Sequence, residues 1–231
     1  GSTKTSVPGR PSFNVDEITA IADEAHKFGV HVAAHCTNSQ GILNALDGGV
    51  DTIIHGYHLE ADGALTYRRE IGERMAKNGI FLNPTLQQGR ERIWQLLAKR
   101  NTTELTILEN KEVVDFEKSW AERLPFFENL LNDGVKLVAG TDASWMHYKL
   151  GGTSLQDEIL AHVDIGLSPM EATVSATRDS ARSCWIDHYV GTLEPGKKAD
   201  ILVVDGDPSA DIKALRNIQD IYVSGNRVIR K

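Results

Sequence analysis

The sequence predicts an α/β fold in which parallel strands alternate with helices, followed by a small β appendage. Four short apolar runs recur between residues 31 and 142, each flanked by a stretch of helical periodicity. Each run is apolar enough to be buried on both faces, as strands of a parallel sheet are. After residue 189 the pattern changes to strand-like runs and a hairpin with no helix between them.

The elements follow in order. After a loop rich in Pro, Gly and Ser, Asn14 and Glu17 have the capping-box spacing. Apolar Ile18, Ile21, Ala22, Ala25 and Phe28 follow at helical period, and Gly29 ends the helix. A strand over 31–35, a helix around 40–47 stopped by Gly48-Gly49, and a strand over 51–55 come next. A helix around 62–78 and Gly79 lead to the strand Ile80-Phe81-Leu82, which ends at Asn83-Pro84-Thr85. A long charged helical stretch from about 87 to 132, broken near Pro125, precedes Gly134 and the strand that ends at Asp142. Ser168-Pro169-Met170-Glu171 opens another helix with Ser as cap and Pro at its first position, and residues 177–187 continue as helix. Ile201–Val204 is a strand, and Ile221-Tyr222-Val223 turns through Ser224-Gly225-Asn226 into Val228-Ile229. A doubly wound sheet and a barrel both accommodate this order.

Composition narrows the function. The net charge of −7 over 231 residues comes with no long basic run, which argues against nucleic acid and against an anionic membrane surface. A small substrate is easier to defend. No apolar stretch approaches the roughly 20 residues that span a bilayer, and the first residues contain no signal-peptide core. Cys36 and Cys184 make no disulfide framework, so a reducing, cytoplasmic setting is expected.

Chemistry concentrates at three strand ends. His35, His55 and Asp142 each close a predicted strand at its C-terminal end, and parallel strands separated by helices bring those ends to one face. Two imidazoles and a carboxylate are candidate ligands for zinc or another divalent metal, at most one per chain. His58, three residues after His55, and His147, in a loop with Trp145 and Tyr148, are candidates for substrate binding. Cys36 adjoins His35, but neighbouring strand residues point to opposite faces, so it fills space. Gly151-Gly152-Thr153 is a weak anion-binding signal. Arg90-Glu91-Arg92 and Lys99-Arg100 read as a solvated helix face, and His26, His31, His162 and His188 carry no chemical signal.

The segments His31–His35, Asp51–Gly56, Asn83–Thr85, Ala139–Asp142 and Gly191–Val204, in that order, resemble the C-terminal half of an amidohydrolase-superfamily metal-dependent hydrolase. The likeness is greatest to the imidazolonepropionase-like and Xaa-Pro dipeptidase group, and it runs from about residue 12 to the end. It implies a partial TIM-type (β/α) barrel over residues 1–188, whose four strands stand for barrel strands five to eight. Residues 189–231 would be the remnant of a small β-sandwich domain. By the same resemblance His35 and His55 bind the more exposed metal. Asp142 binds the more buried one and is the general base that carries a proton to the leaving group.

The departures from the family are large. The His-x-His pair of its first strand and the bridging Lys of its fourth have no counterpart, and Lys4 lies too close before His35 to take that role. Two His and one Asp are the inventory of a mononuclear site. The resemblance implies hydrolysis of an amide or related C–N or ester bond in a small substrate such as a dipeptide or N-acyl amino acid. The alternative is a catalytically idle half-barrel. Half a barrel leaves two open strand edges, so a homo-oligomer or a complementary N-terminal half is the expected partner.

Overall fold

A computed structural model describes residues 9–87, 90–143 and 153–229. Strands β1 (Ala33–Asn38), β2 (Thr52–Leu59), β3 (Phe81–Asn83) and β4 (Lys136–Leu137) form one parallel sheet in the order β1-β2-β3-β4. Each strand pairs with the next in the chain, and crossovers of one hand then place all the connecting helices on one face of the sheet. A doubly wound sheet reverses its strand order at a switch point. The sequential order observed here is that of a (β/α) barrel, so the structure decides between the two predicted alternatives.

The helices are α1 (Val15–Lys27), α2 (Ser39–Asp47), α3 (Arg69–Asn78), α4 (Arg90–Arg100), α5 (Ile107–Asn132), α6 (Ser154–Asp164), α7 (Pro169–Val174) and α8 (Ser180–Ser183). Ile53 and Leu82 of the sheet pack against Ile42 and Leu46 of α2, Ile71 and Met75 of α3, and Phe127 and Leu130 of α5. This layer is the core. The apolar stripe of α1 is only partly covered, with Ala22 buried but Phe28 76% exposed.

The second sheet is antiparallel, β5 (Ile201–Val204), β6 (Ile218–Val223) and β7 (Asn226–Arg227). A 3₁₀ turn at Ile212–Arg216 ties it to the first layer: Ile212 and Leu215 pack with Ile159 and Ala172, and Arg216 donates to Asp157 at 2.6 Å.

Several boundaries differ from the sequence expectation. β1 runs past His35 to Asn38 and β2 past His55 to Leu59, while β4 stops at Leu137, short of Asp142. Residues 62–68 are not helical, because Asp62 and Gly63 form a turn in which Ala64 N donates to Asp62 Oδ1 at 2.9 Å, and α3 begins at Arg69. The long helical stretch breaks at Asn101–Leu105 rather than at Pro125. Thr106 and Glu109 form a capping box that starts α5, and Pro125 lies inside that helix, where buried Phe126 and Phe127 hold the turn against the core. Residues 177–187 are not one helix: after α7 the Ser175 hydroxyl donates to Ala172 O, the backbone widens to a π-turn over Ser175–Asp179, and α8 ends by Cys184. In the last hairpin the returning strand is Asn226–Arg227 rather than Val228-Ile229.

The cap at Thr106 gives a direct test. Thr106→Ala removes the side-chain acceptor for Glu109 N and is expected to lower stability by about 1 kcal/mol, read from the midpoint of urea unfolding. Glu109→Lys, which also breaks the ion pair to Lys99, should lower it further.

Candidate active site

His35 and His55 come together from within β1 (Ala33–Asn38) and β2 (Thr52–Leu59), both of which run on past the histidines. His35 Nδ1 lies 3.0 Å from His55 Nε2, and the rings meet edge to face with centroids 4.5 Å apart. Their strand register does not bring this about. His35 pairs with Ile54 and Cys36 with His55, so in a regular sheet the two histidines would point to opposite faces. The reconciling feature is the backbone of His55, whose φ is +67°, followed by Gly56 at +69°. The left-handed conformation re-aims the ring towards His35.

Gly56 is required there, since a Cβ would stand 2.4 Å from Leu82 Cδ1. Thr85 (φ +50°) and Asp142 (φ +48°) are also left-handed. For residues with a Cβ this conformation costs of order 1–3 kcal/mol each, and such strain concentrates at functional sites.

Thr85 Oγ1 lies 2.7 Å from His55 Nδ1. With Nδ1 engaged by the hydroxyl, Nε2 is the nitrogen that faces His35. Burial lowers the pKa of His55 to about 4, with a further contribution from the charge His35 would carry and opposition from Asp142 and Glu158. Burial lowers that of His35 as well, and Asp142 opposes it. Both rings are therefore neutral at pH 7, the state in which an imidazole nitrogen offers a lone pair.

The donor pair fits a divalent cation. Two nitrogens on one tetrahedral zinc at about 2.0–2.1 Å stand about 3.3 Å apart, close to the 3.0 Å observed. The third predicted ligand is less closely placed. Asp142 is exposed and near enough to influence both rings electrostatically, but among the described residues no three His, Cys, Asp or Glu side chains gather as a metal-holding group.

The other predicted residues separate. His58 lies in the core, with no exposed surface. Its Nδ1 accepts from Arg68 N at 3.0 Å, and its ring meets Phe126 edge to face at 4.8 Å, so it does not line an open pocket. His147, with Trp145, Tyr148 and Gly151-Gly152, lies outside the described residues, as does Lys4. Cys36 is buried and its thiol is pushed up to about 12 by that burial, in keeping with a space-filling role. Arg90 is not on a solvated face: it is buried, paired with Asp164, and its guanidinium lies 4.4 Å over the Trp120 ring.

His58 makes the fold sensitive to acid. Burial lowers its pKa to about 4, against the partial opposition of Glu70 and Glu60. The unfolded chain takes up this proton near pH 6.5 and the folded one only near 4, so stability falls as the pH drops through that window. The loss at pH 4 is expected to be about 2–3 kcal/mol, seen as a shift in the urea midpoint. His58→Leu should flatten that part of the profile.

The residues that sequence reasoning missed are Thr85, Gln87 and Glu158. Glu158 is fully buried and accepts from Leu86 N at 3.0 Å and Gln87 N at 2.7 Å, while Gln87 Nε2 donates to Thr141 O at 2.6 Å. Only Thr85 left a trace in the sequence, at the end of the run Asn83-Pro84-Thr85 where β3 stops.

Comparison with known proteins agrees with the fold. The model described as Amidohydrolase family matches residues 2–228. Ochratoxinase of Aspergillus niger is 24% identical over 217 residues, covering 90% of this chain and 39% of that protein. The crystal structure of a Xaa-Pro dipeptidase with bound methionine in the active site superposes with a TM-score of 0.71 at 27% identity, over 95% of this chain and 50% of that one. A putative prolidase from Bifidobacterium longum gives a TM-score of 0.71 at 28% identity, over 94% and 51%. The chain thus spans about half of the length of these relatives or less.

Proposed function

Because the chain belongs to the amidohydrolase family, we propose that His35 and His55 serve the hydrolysis of an amide or related C–N or ester bond in a small substrate such as a dipeptide or N-acyl amino acid. The observation that carries this reading is the convergence of two imidazole nitrogens, 3.0 Å apart, from adjacent parallel strands. The dipeptidase and prolidase neighbours support the C–N bond.

A divalent cation, zinc or another, would be held by His35 Nδ1 and His55 Nε2, and when bound it supplies Lewis acidity and water activation. The chain's own groups do the rest. Thr85 fixes the His55 ring through Nδ1, so that Nε2 stays aimed at the site. Asp142 is the general base: its carboxylate takes a proton from the attacking water and hands it to the leaving nitrogen. His147 remains our candidate for contact with the substrate.

The test is elemental analysis of the purified protein after incubation with zinc, followed by a panel of dipeptides, N-acyl amino acids and esters. About one ion per chain with turnover of any panel member supports the reading. Turnover that persists in excess chelator and without metal would sink it.

A second reading is favoured by the sheet edges. β1 and β4 are the outer strands of the parallel sheet, and along β1 runs a groove of about 320 Å³ lined by Phe13, Ile18, Val32 and Cys36. A half-barrel without activity of its own would assemble through such edges. Light scattering distinguishes the two readings, since a metal-free oligomer without turnover belongs to the second.

A further inference from the structure

The buried carboxylate of Glu158 does not touch either histidine, and no substrate could reach it. It nevertheless holds the backbone of the segment that does touch His55. Its two oxygens accept from Leu86 N and Gln87 N, the two amides that follow Thr85. Successive backbone amides aimed at one buried carboxylate make a charge-assisted clamp. The clamp thereby holds the left-handed backbone from which the Thr85 hydroxyl reaches His55.

The same segment reaches the third predicted ligand. Gln87, fixed through its own N–H, donates from its side chain to the carbonyl of Thr141, the residue before Asp142. His162, one turn along the same helix, stands beside Glu158 without a hydrogen bond to it: its Nε2 lies 3.3 Å from Glu158 Oε1 and is left without a partner, while its Nδ1 lies 2.8 Å from Ser175 Oγ, and both side chains of the Glu158–His162 pair are fully buried. α6 thus carries a carboxylate whose contacts lead towards two of the three predicted metal ligands, His55 and Asp142.

We propose that Glu158 is a positioning residue of the site: through the Leu86 and Gln87 amides it sets Thr85, and with it the orientation and tautomer of His55, while Gln87 carries the same constraint to the Thr141–Asp142 turn. The inference rests on the site assigned above but not on metal or turnover. A failure of hydrolysis and a failure of this proposal are therefore separable.

The test reads the ring nitrogens of His55 by long-range ¹H–¹⁵N correlation NMR on the whole chain. In the unaltered protein His55 gives one tautomer, with the proton on one nitrogen only. Glu158→Gln keeps the shape of the side chain but replaces one acceptor oxygen with a donor facing a backbone N–H. We expect the His55 nitrogens to move towards the average of the two tautomers, as in Thr85→Val, while Thr85→Ser retains the original pattern. Ile159→Val, a buried change on the same helix, should leave them in place.

The proposal is overturned if Glu158→Gln leaves His55 as it was while Thr85→Val moves it, or if Ile159→Val moves it as far. Should Glu158→Gln fail to fold, Glu158→Asp, one methylene too short to reach both amides, carries the same expectation and the same overturning result.

Discussion

Replacing His55 with alanine is expected to weaken zinc binding more than about 100-fold and to abolish hydrolysis with it. Loss of a group that only supports a ligand typically costs 10–100-fold in metal affinity, and His55 is proposed as a ligand itself. Its Nε2 is one of the two nitrogens that meet at 3.0 Å. The prediction is checked by isothermal titration with zinc, with circular dichroism to show that the fold survives. His35→Ala should behave alike, whereas Thr85→Val should fall in the 10–100-fold range because it keeps both liganding rings and removes only the hydroxyl that orients His55. Unchanged zinc affinity in both His55→Ala and His35→Ala would remove the two histidines from the centre.

The second large effect concerns the core under the sheet. Phe127 is fully buried, 5.2 Å from the Phe126 ring and 5.8 Å from Tyr57, both edge to face. Phe127→Ala leaves a cavity that the close-packed layer cannot collapse around, and it should cost about 3–5 kcal/mol. Urea unfolding measures it, with Leu108→Ala, at a site 74% exposed, as the comparison expected to change stability by no more than about 0.5 kcal/mol. A cost below about 1 kcal/mol would mean that α5 is not packed on the sheet as described.

How much of this could be read beforehand depended on the kind of physics involved. Burial pattern and caps depend on residue type, so the strands at the runs containing His35, His55 and Leu82 and the capping boxes at Asn14 and Ser168 are legible and present, although each strand runs past the expected end. Strand order followed from alternation alone once the barrel was chosen over the doubly wound sheet. The Pro125 break was misplaced because proline's local cost was weighed without the two buried phenylalanines beside it. Arg90 was read as solvated because charge was weighed without the tryptophans that cover it.

Within the site, the placing of His35 and His55 on neighbouring parallel strands was legible, but the reason they meet was not. It rests on a left-handed backbone at His55, which no residue type announces in a histidine. Thr85 and Glu158 escaped for a related reason. Their contacts join residues 30 and 72 positions apart in the chain, and nothing periodic connects them.

The three left-handed residues of the site have a consequence for anyone who tries to improve this protein. A library selected only for heat resistance would find gains at positions 55, 85 and 142, because glycine or asparagine relaxes a backbone that histidine, threonine and aspartate hold under strain. Each such gain would erase a functional group of the site, whereas the same relaxation at Trp185 and Ser224, the other left-handed residues with a side chain among those described, would leave the site intact. The most robust descendants, relaxed at all five positions, would be those least able to act.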